Sequence, residues 1–232
     1  MVFKIKGGQK YKAADIDLEG DWSAAANFLV AGAVFGKVEL AGIDTTSIQG
    51  DLSIMDILMD AGASLSDNDG EKGLITVQRA PLKSFSVDAS NCPDLFPIIS
   101  VLAAFCQGTS RLAGVGRLAN KESDRAKAII EMLTQMGVNA RVEGDEMVIE
   151  GHTLVKRLLC RDLKSGRDDE AFTSGLLRGG SYTSHHDHRM VMALKVAALG
   201  ADSPITIDDE ECVAKSFPHF LEVYDSVFCK TL

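Results

Sequence analysis

The order of apolar and polar positions predicts one unit of secondary structure that recurs along the chain. Two copies cover 16–65 and 85–140. Each opens with a short strand pattern, over 16–21 or 85–88, and continues into an apolar helix that ends near a glycine such as Gly36. A strand, a second helix and two further strands complete the unit, and such self-similarity indicates a repeat architecture.

A third, shorter copy begins near Ser184. It has an apolar helix over 188–199, a strand over 205–207 and a last helix over 216–228. No closing pair of strands follows that helix in the sequence. We therefore expect the strand–helix–strand–helix–strand–strand unit twice in full and a third unit that is incomplete.

Several predicted helices, including 23–31 and 95–105, are apolar on nearly every face. A helix of this kind belongs in the interior and not on a surface. The pattern therefore predicts an α/β fold of repeated β-α-β-α-β-β units, with helices pointing inward and sheets on the outside. A two-layer α/β sandwich is the alternative that periodicity alone leaves open.

The composition is that of an ordinary globular protein, with 46% hydrophobic and 25% charged residues. The net charge of -9 argues against a nucleic-acid partner, because nucleic-acid binders usually carry a basic surface. No apolar run approaches the roughly 20 residues that cross a bilayer, and the first residues lack a signal-peptide pattern. The 5 cysteines are odd in number and form no C-x-x-C pair, so we expect reduced thiols in a cytoplasmic protein.

Charged residues gather at the predicted helix starts. A cation there is unusual, because its charge opposes the partial positive charge of the helix N-terminus. An anion bound between several such starts would offset the cations, and both free N–H groups and basic side chains suit phosphate and carboxylate. The alternative is ordinary capping on a solvated surface. The residues concerned are Asp94, Lys121, Glu122, Arg125, His188, Arg189 and Lys215.

Proton chemistry is a second use for such a cluster. Carboxylates and ammonium groups in one partly closed site shift each other's pKa and supply an acid and a base, and Asp94, Lys121 and Glu122 are the candidates. A metal site at the histidines of 185–188 is disfavoured, because no second His/Cys cluster accompanies them. No glycine run matches a P-loop or dinucleotide fingerprint, and we expect neither a metal nor a cofactor.

Five motifs resemble, in order, those of the 5-enolpyruvylshikimate-3-phosphate synthases. They are G-D-W-S-A-A at 20–25, N-C-P-D at 91–94, K-E-S-D-R at 121–125, D-H-R-M-V-M-A at 187–193 and D-D-E-E-C-V-A-K-S-F-P at 208–218. The family pattern has a basic residue two positions before the signature lysine, where this chain has Ala119, and the stretch 152–181 is longer and more polar than usual. Neither departure touches the core motif residues.

The resemblance implies a reaction. The enolpyruvyl group of phosphoenolpyruvate would pass to the 5-hydroxyl of shikimate-3-phosphate, with release of phosphate and without a metal or organic cofactor. By their places in the motifs, Asp94 and Lys121 would handle the hydroxyl proton and Glu122 would protonate C3. The family's contacts to phosphoenolpyruvate would fall on Arg125, His188, Arg189 and Lys215.

The resemblance also implies that the chain is the C-terminal half of a two-domain enzyme. Residues 1–20 would be a lead-in segment and 21–232 the domain. The missing N-terminal domain would supply most contacts to shikimate-3-phosphate, so we expect the chain alone to be inactive. Two alternatives stay open: a non-catalytic phosphate-binding module, and enolpyruvyl transfer to UDP-N-acetylglucosamine by the related enzymes, which lack the K-E-S-D-R and D-H-R-M pairing.

Overall fold

The computed structural model describes residues 2–67, 74–119, 121–151 and 177–228. The helices of these residues are α1 (Trp22–Phe35), α2 (Ile54–Asp60), α3 (Phe96–Ala104), α4 (Arg125–Gln135), α5 (His188–Ala198) and α6 (Phe220–Phe228). The strands are β1 (Lys37–Leu40), β2 (Ser64–Asp67), β3 (Ile75–Gln78), β4 (Ser86–Asp88), β5 (Gly108–Ala113), β6 (Asn139–Glu143), β7 (Glu146–Gly151), β8 (Gly180–Tyr182) and β9 (Ile205–Ile207).

The sheets repeat one plan. In the second unit, β5 pairs in parallel with β4 and antiparallel with β7, which pairs antiparallel with β6. The first unit has the antiparallel order β1-β3-β2, and the third has β8 parallel to β9. The registers of the first two units correspond, because Leu40 lies opposite Ile75 as Leu112 lies opposite Met147. The predicted repeat is confirmed in these helices and strands, apart from the opening strand of the first unit.

The apolar helices form the centre of the molecule. α1, α3 and α5 contact one another, and every residue of α3 is buried. A proline in the first turn suits α3, because an N–H there has no partner within the helix. The predicted α/β fold with inward helices and outer sheets is therefore what forms, in place of the alternative two-layer sandwich.

Close backbone approach joins α1 to its sheet at Gly32. A Cβ at this position would lie 2.6 Å from Val77 Cγ1 and 2.9 Å from Val38 Cβ. A larger residue would push β1 and β3 away from the helix. The glycine in the middle of an otherwise good helix is thus explained by packing. At the start of α1, Asp21 accepts a hydrogen bond from the Ser23 N–H at 3.0 Å, as a helix cap does.

Some predicted boundaries are wrong. The segment 16–21 forms no strand, because a strand needs hydrogen bonds from a neighbour and residues 16–19 are exposed without one. The apolar pattern predicts the second helix of the second unit over about 122–136, but this helix begins only at Arg125, since Asp124 caps it. The last helix begins at Phe220 and not at 216, because a 3₁₀ turn and Pro218 precede it. Of the polar stretch 152–181, residues 152–176 lie outside the described residues.

Two further features bear on the sequence analysis. No helix within the described ranges is long and apolar enough to cross a membrane. Cys92, Cys106 and Cys212 are free thiols, whereas Cys160 and Cys229 lie outside the described part of the chain.

Candidate active site

The seven residues predicted from the sequence lie together in the structure. The starts of α4 and α5, the 3₁₀ turn Pro93–Leu95 and the end of the 3₁₀ turn Glu210–Lys215 meet at one place. The ion pairs described below join six of the seven to one another and to Asp187, and His188 Nδ1 lies 3.9 Å from Asp187 Oδ1. We call this set the charged cluster. Its members are Asp94, Lys121, Glu122, Arg125, Asp187, His188, Arg189 and Lys215.

Arg125 is the centre of the charged cluster and is only 1% exposed. Its Nη1 donates to Asp94 Oδ1 at 2.6 Å and its Nη2 donates to Glu122 Oε2 at 2.9 Å. Its Nε donates to Asp187 Oδ2 at 2.7 Å, and its Nη2 also donates to Asp187 Oδ1 at 3.1 Å. A guanidinium has five N–H donors, so one Nη1 hydrogen is left among these contacts. Three carboxylates thereby offset the cost of burying one cation.

Asp187 joins Arg125 to α5 and is fully buried. Besides its bidentate contact with Arg125, its Oδ1 accepts the Arg189 N–H at 2.9 Å and so caps α5. Its Oδ2 also accepts the Ser123 hydroxyl at 3.0 Å. The orientation of the α5 start, and with it the positions of His188 and Arg189, therefore depends on this carboxylate.

Asp94 and Lys121 form the second ion pair of the cluster. Lys121 Nζ donates to Asp94 Oδ1 at 2.9 Å. Burial alone would raise the pKa of Asp94, but hydrogen bonds from Lys121 and Arg125 and the charges of both outweigh it and lower the pKa from 3.8 to about 2. Asp94 is consequently an anion at neutral pH.

Glu122 lies between two cations. Its Oε1 accepts from Lys215 Nζ at 3.0 Å, and its Oε2 accepts from Arg125. Burial raises its pKa, but the hydrogen bond from Lys215 and the charges of Arg125 and Lys215 outweigh this and lower the pKa from 4.5 to about 2. The ion pair of Glu122 with Lys215 brings the end of the 3₁₀ turn Glu210–Lys215 against the start of α4.

Arg189 and His188 carry buried polar atoms without partners. Within the described residues, Arg189 Nε and Nη1 and His188 Nδ1 have no hydrogen-bond partner. Arg189 Nη2 lies 4.0 Å from Asp94 Oδ2, at the edge of an ion pair. Burial and the nearby Arg189 charge lower the pKa of His188. Its imidazole is thus held neutral, beside a guanidinium that is open to an anion.

A buried carboxyl lies beside the charged cluster. Asp51 accepts a hydrogen bond from the Ser23 hydroxyl at the start of α1. Burial raises its pKa more than the Ser23 hydrogen bond lowers it, and the charges of Asp94 and Arg189 also act on it. The start of the first unit's helix therefore reaches the same region as the helix starts of the other two units.

The structure separates the histidines that suggested a metal. His186 Nδ1 lies 2.5 Å from Asp209 Oδ2, His185 faces Glu131, and only His188 belongs to the charged cluster. Across residues 2–67, 74–119, 121–151 and 177–228, no group of three or more His, Cys, Asp and Glu side chains could hold a metal ion.

The sequence analysis missed two carboxylates. Asp187 stood in the D-H-R motif but was not selected, although its place before a helix start was a usable signal. Asp51 stands where the second helix of the first unit is predicted to begin, over about 51–61, and so carried the same kind of signal, but no Lys or Arg stands beside it. The roles assigned to the seven selected residues stay predictions.

The buried pair of Arg125 and Asp187 gives a prediction for stability. Asp187→Ala leaves a buried guanidinium without its bidentate partner, and we expect it to lower the free energy of unfolding by about 3–5 kcal/mol. Glu146→Ala, which breaks a half-exposed pair with Arg111 on the outer sheet, should cost less than about 1 kcal/mol. Urea unfolding measures both. Equal losses would contradict the central place of Asp187.

The low pKa of Asp94 gives a prediction for acid stability. A carboxyl that takes up its proton near 4 when unfolded but near 2 when folded stabilises the fold above pH 4, and this contribution is lost as the pH falls toward 2. Between pH 5 and pH 3, the free energy of unfolding should fall less steeply with pH in Asp94→Asn than in the wild type. The slope measures the number of protons taken up on unfolding, and this number should be smaller in the variant by up to one. Urea unfolding at a series of pH values measures this, and parallel slopes would contradict it.

Comparison with known proteins agrees with the motifs. Residues 1–224 match the family model described as EPSP synthase (3-phosphoshikimate 1-carboxyvinyltransferase). A 3-phosphoshikimate 1-carboxyvinyltransferase from Brachyspira hyodysenteriae is 40% identical over all of this chain and 50% of its own length. One from Clostridium botulinum is 35% identical over 97% of the chain and 47% of its own length.

Solved structures show the same likeness. The EPSP synthase of Acinetobacter baumannii has a TM-score of 0.73 at 30% identity and covers 97% of the chain, which corresponds to 51% of that protein. The enolpyruvyl transferase NikO of Streptomyces tendae, at 14% identity and a TM-score of 0.60, shares the fold. The chain thus spans about half the length of the curated relatives it matches. On this evidence the chain belongs to the EPSP synthase family.

Proposed function

We propose that the charged cluster is half of an enolpyruvyl transferase active site and that it binds phosphoenolpyruvate. The observation that carries the proposal is Arg189, whose buried Nε and Nη1 have no partner among the described residues. A buried donor without an acceptor costs free energy, and a carboxylate or phosphate would remove that cost. Phosphoenolpyruvate carries both groups.

The other cations of the cluster would complete the anion site. Lys215 is half-exposed and so can turn from Glu122 toward a ligand. Arg125 retains one Nη1 hydrogen beside Asp94. His188, which is neutral, would add a hydrogen bond without adding charge. These residues would hold the substrate by charge and geometry, which is the larger part of catalysis when an anion must be oriented for attack.

The reaction proposed is addition followed by elimination. The oxygen of the acceptor's 5-hydroxyl bonds to C2 of phosphoenolpyruvate, its proton passes to the Asp94–Lys121 pair, and C3 takes a proton from Glu122. In the second step C3 returns a proton, the bond from C2 to the phosphate oxygen breaks, and phosphate leaves. Asp94 is ionised at neutral pH and so can accept this proton, but a pKa of about 2 makes it a weak base while Lys121 and Arg125 are bonded to it.

Glu122 needs a change of surroundings to act as the acid. With Lys215 bonded to it, its pKa is about 2 and it carries no proton at neutral pH. A bound phosphate that attracts Lys215 would remove the largest of the influences that lower this pKa. Substrate binding would thereby raise the pKa of Glu122 and prepare it to give a proton to C3.

Shikimate-3-phosphate is the acceptor that we propose. The relatives at 35–40% identity carry the name 3-phosphoshikimate 1-carboxyvinyltransferase. UDP-N-acetylglucosamine is the weaker candidate, because the enzymes that use it lack the pairing of K-E-S-D-R with D-H-R-M that this chain has at 121–125 and 187–190. The process served would be aromatic amino acid biosynthesis in the cytoplasm, in keeping with the free thiols.

The chain would work together with a second domain. It matches only about half of each relative, and the charged cluster as described offers few groups beyond those that suit phosphoenolpyruvate. We propose that an N-terminal domain completes the acceptor site and that residues 1–20 lead into 21–232 from it. By itself the chain would be a phosphate-binding module without turnover.

Arg189 gives the first test. Arg189→Gln should weaken the binding of phosphoenolpyruvate to the isolated chain at least tenfold, because a hydrogen bond to a charged group is worth about 1.5–3 kcal/mol. Arg141→Gln, on the outer sheet, is the matched control and should leave binding unchanged. Isothermal titration calorimetry measures both. Equal binding by all three proteins would contradict the anion site.

Turnover gives the second test. The chain is mixed with the N-terminal half of the Brachyspira relative, and phosphate release from phosphoenolpyruvate and shikimate-3-phosphate is followed. We expect phosphate release from the mixture and not from either half by itself. Glu122→Gln should lower the rate of release about 10²–10⁴-fold, which is the range for general acid catalysis. Glu143→Gln, on the outer sheet, should have no effect. Turnover by the chain alone would contradict the need for a partner, and no release from folded, associated halves would contradict the acceptor.

A further inference from the structure

We infer that Asp51 is a positioning residue of the proposed site. It fixes the turn that carries Asp94, and its negative charge acts both on Asp94 and on the anion site at Arg189. Asp51 lies beside the charged cluster and, among the described residues, forms no ion pair with it. The inference deepens the proposed function and rests on it for the role of Asp94 as a base.

The burial of Asp51 is the first argument. It belongs to the 3₁₀ turn Gly50–Ser53 and is only 9% exposed. Within the described residues its one hydrogen bond comes from the hydroxyl of Ser23, at the start of α1. A buried carboxylate without a paired cation is costly. An asparagine would accept the same hydroxyl without that cost, so the charge of Asp51 needs a reason beyond this contact.

The turn of Asp51 packs against the turn that carries Asp94. The two backbones meet at Gly50, where a Cβ would lie 2.5 Å from the carbonyl oxygen of Asn91. The side chains of Ser53 and Cys92 share a hydrogen bond beside this contact. Because Cys92 precedes Asp94 by two residues, a shift of the first turn would displace the Asp94 carboxylate.

Three charged side chains act on Asp51. Burial raises its pKa and the hydrogen bond from Ser23 lowers it, while the charges of Asp94 and Asp21 raise it and that of Arg189 lowers it. The interaction between two charges is mutual. Asp51 therefore repels the negative charge of Asp94 and attracts the guanidinium of Arg189.

The repulsion affects Asp94 as a base. Lys121 and Arg125 lower the pKa of Asp94 to about 2, which makes it slow to accept a proton. A second carboxylate nearby favours the protonated form of Asp94 and so opposes these two cations. A general base is more effective as its pKa approaches the working pH. The charge of Asp51 thus helps Asp94 to take the hydroxyl proton.

The attraction affects Arg189 as an anion site. Its Nε and Nη1 have no partner within the described residues, so Asp51 offsets part of the cost of burying this cation without occupying those donors. An anion bound to Arg189 is repelled by Asp51 in turn. Asp51 therefore leaves the Arg189 donors open to a ligand and at the same time weakens the binding of that ligand.

The binding of inorganic phosphate to the isolated chain tests the charge of Asp51. Asp51→Asn keeps an acceptor for the Ser23 hydroxyl and removes the charge. It should tighten binding about three- to tenfold, as expected for a partly screened repulsion, and added salt should reduce this gain. Asp60→Asn, at the exposed end of α2, is the matched control and should leave binding unchanged. Isothermal titration calorimetry measures all three proteins.

Turnover tests the effect on Asp94. With the chain mixed with the N-terminal half of the Brachyspira relative, Asp51→Asn should lower kcat about threefold or more, because Asp94 becomes a weaker base. The KM for phosphoenolpyruvate should fall as well, because binding tightens. A variant that only lost stability would lower the amount of active protein and leave KM in place. Asp60→Asn should change neither constant.

Gly50→Ala tests the contact between the two turns. The added Cβ pushes against the Asn91 carbonyl and displaces Asp94, while the charge of Asp51 remains. This variant should lower kcat without tightening phosphate binding, and urea unfolding of each variant shows that it is folded. Unchanged kcat in folded Gly50→Ala would contradict the role of this contact.

Three results would overturn the inference. One is phosphate binding in Asp51→Asn that equals or falls below that of the wild type, as a purely structural role would give. Another is a lower kcat with an unchanged KM, and the third is an unchanged kcat. Absence of turnover in the wild-type mixture would instead contradict the proposed function, and the phosphate comparison would then decide the inference by itself.

Discussion

The burial of one guanidinium determines the arrangement of the candidate site. Arg125 is 1% exposed, and an unpaired cation that is buried in this way would strongly destabilise the folded state. Asp94, Glu122 and Asp187 offset it, and each comes from a different place in the chain. Meeting this one requirement brings the start of α4, the start of α5 and the turn before α3 to a common point.

The same arrangement divides the charges into two groups. The carboxylates are paired with Arg125, Lys121 and Lys215, and the contacts with these cations lower the pKa values of Asp94 and Glu122. Arg189 keeps two buried donor atoms without partners among the described residues. The helix starts add partial positive charge in the same region. Arg189 is therefore the cation whose donors the carboxylates do not satisfy, and the proposed binding of phosphoenolpyruvate depends on it.

The sequence predicted the repeat well because helix and strand periodicity is local, and helices that are apolar all round can only be central. Through charges at helix starts and family motifs it selected seven residues that the structure brings together, and their roles stay predictions. It did not predict the position of Asp187, whose role depends on a contact across 62 residues with Arg125. The strand at 16–21 was predicted from its alternation, but pairing depends on a partner edge that local sequence does not specify.

The central claim is that carboxylates satisfy the Nε and Nη2 of Arg125, whereas the guanidinium of Arg189 is left for an anion. Arginine Nε–H resonances in a ¹H–¹⁵N spectrum, followed during titration with phosphoenolpyruvate, test it directly. The account predicts that the Nε–H signal of Arg189 moves with the ligand, while that of Arg125, which donates to Asp187 at 2.7 Å, stays in place. Movement of the Arg125 signal with a stationary Arg189 signal would contradict the account.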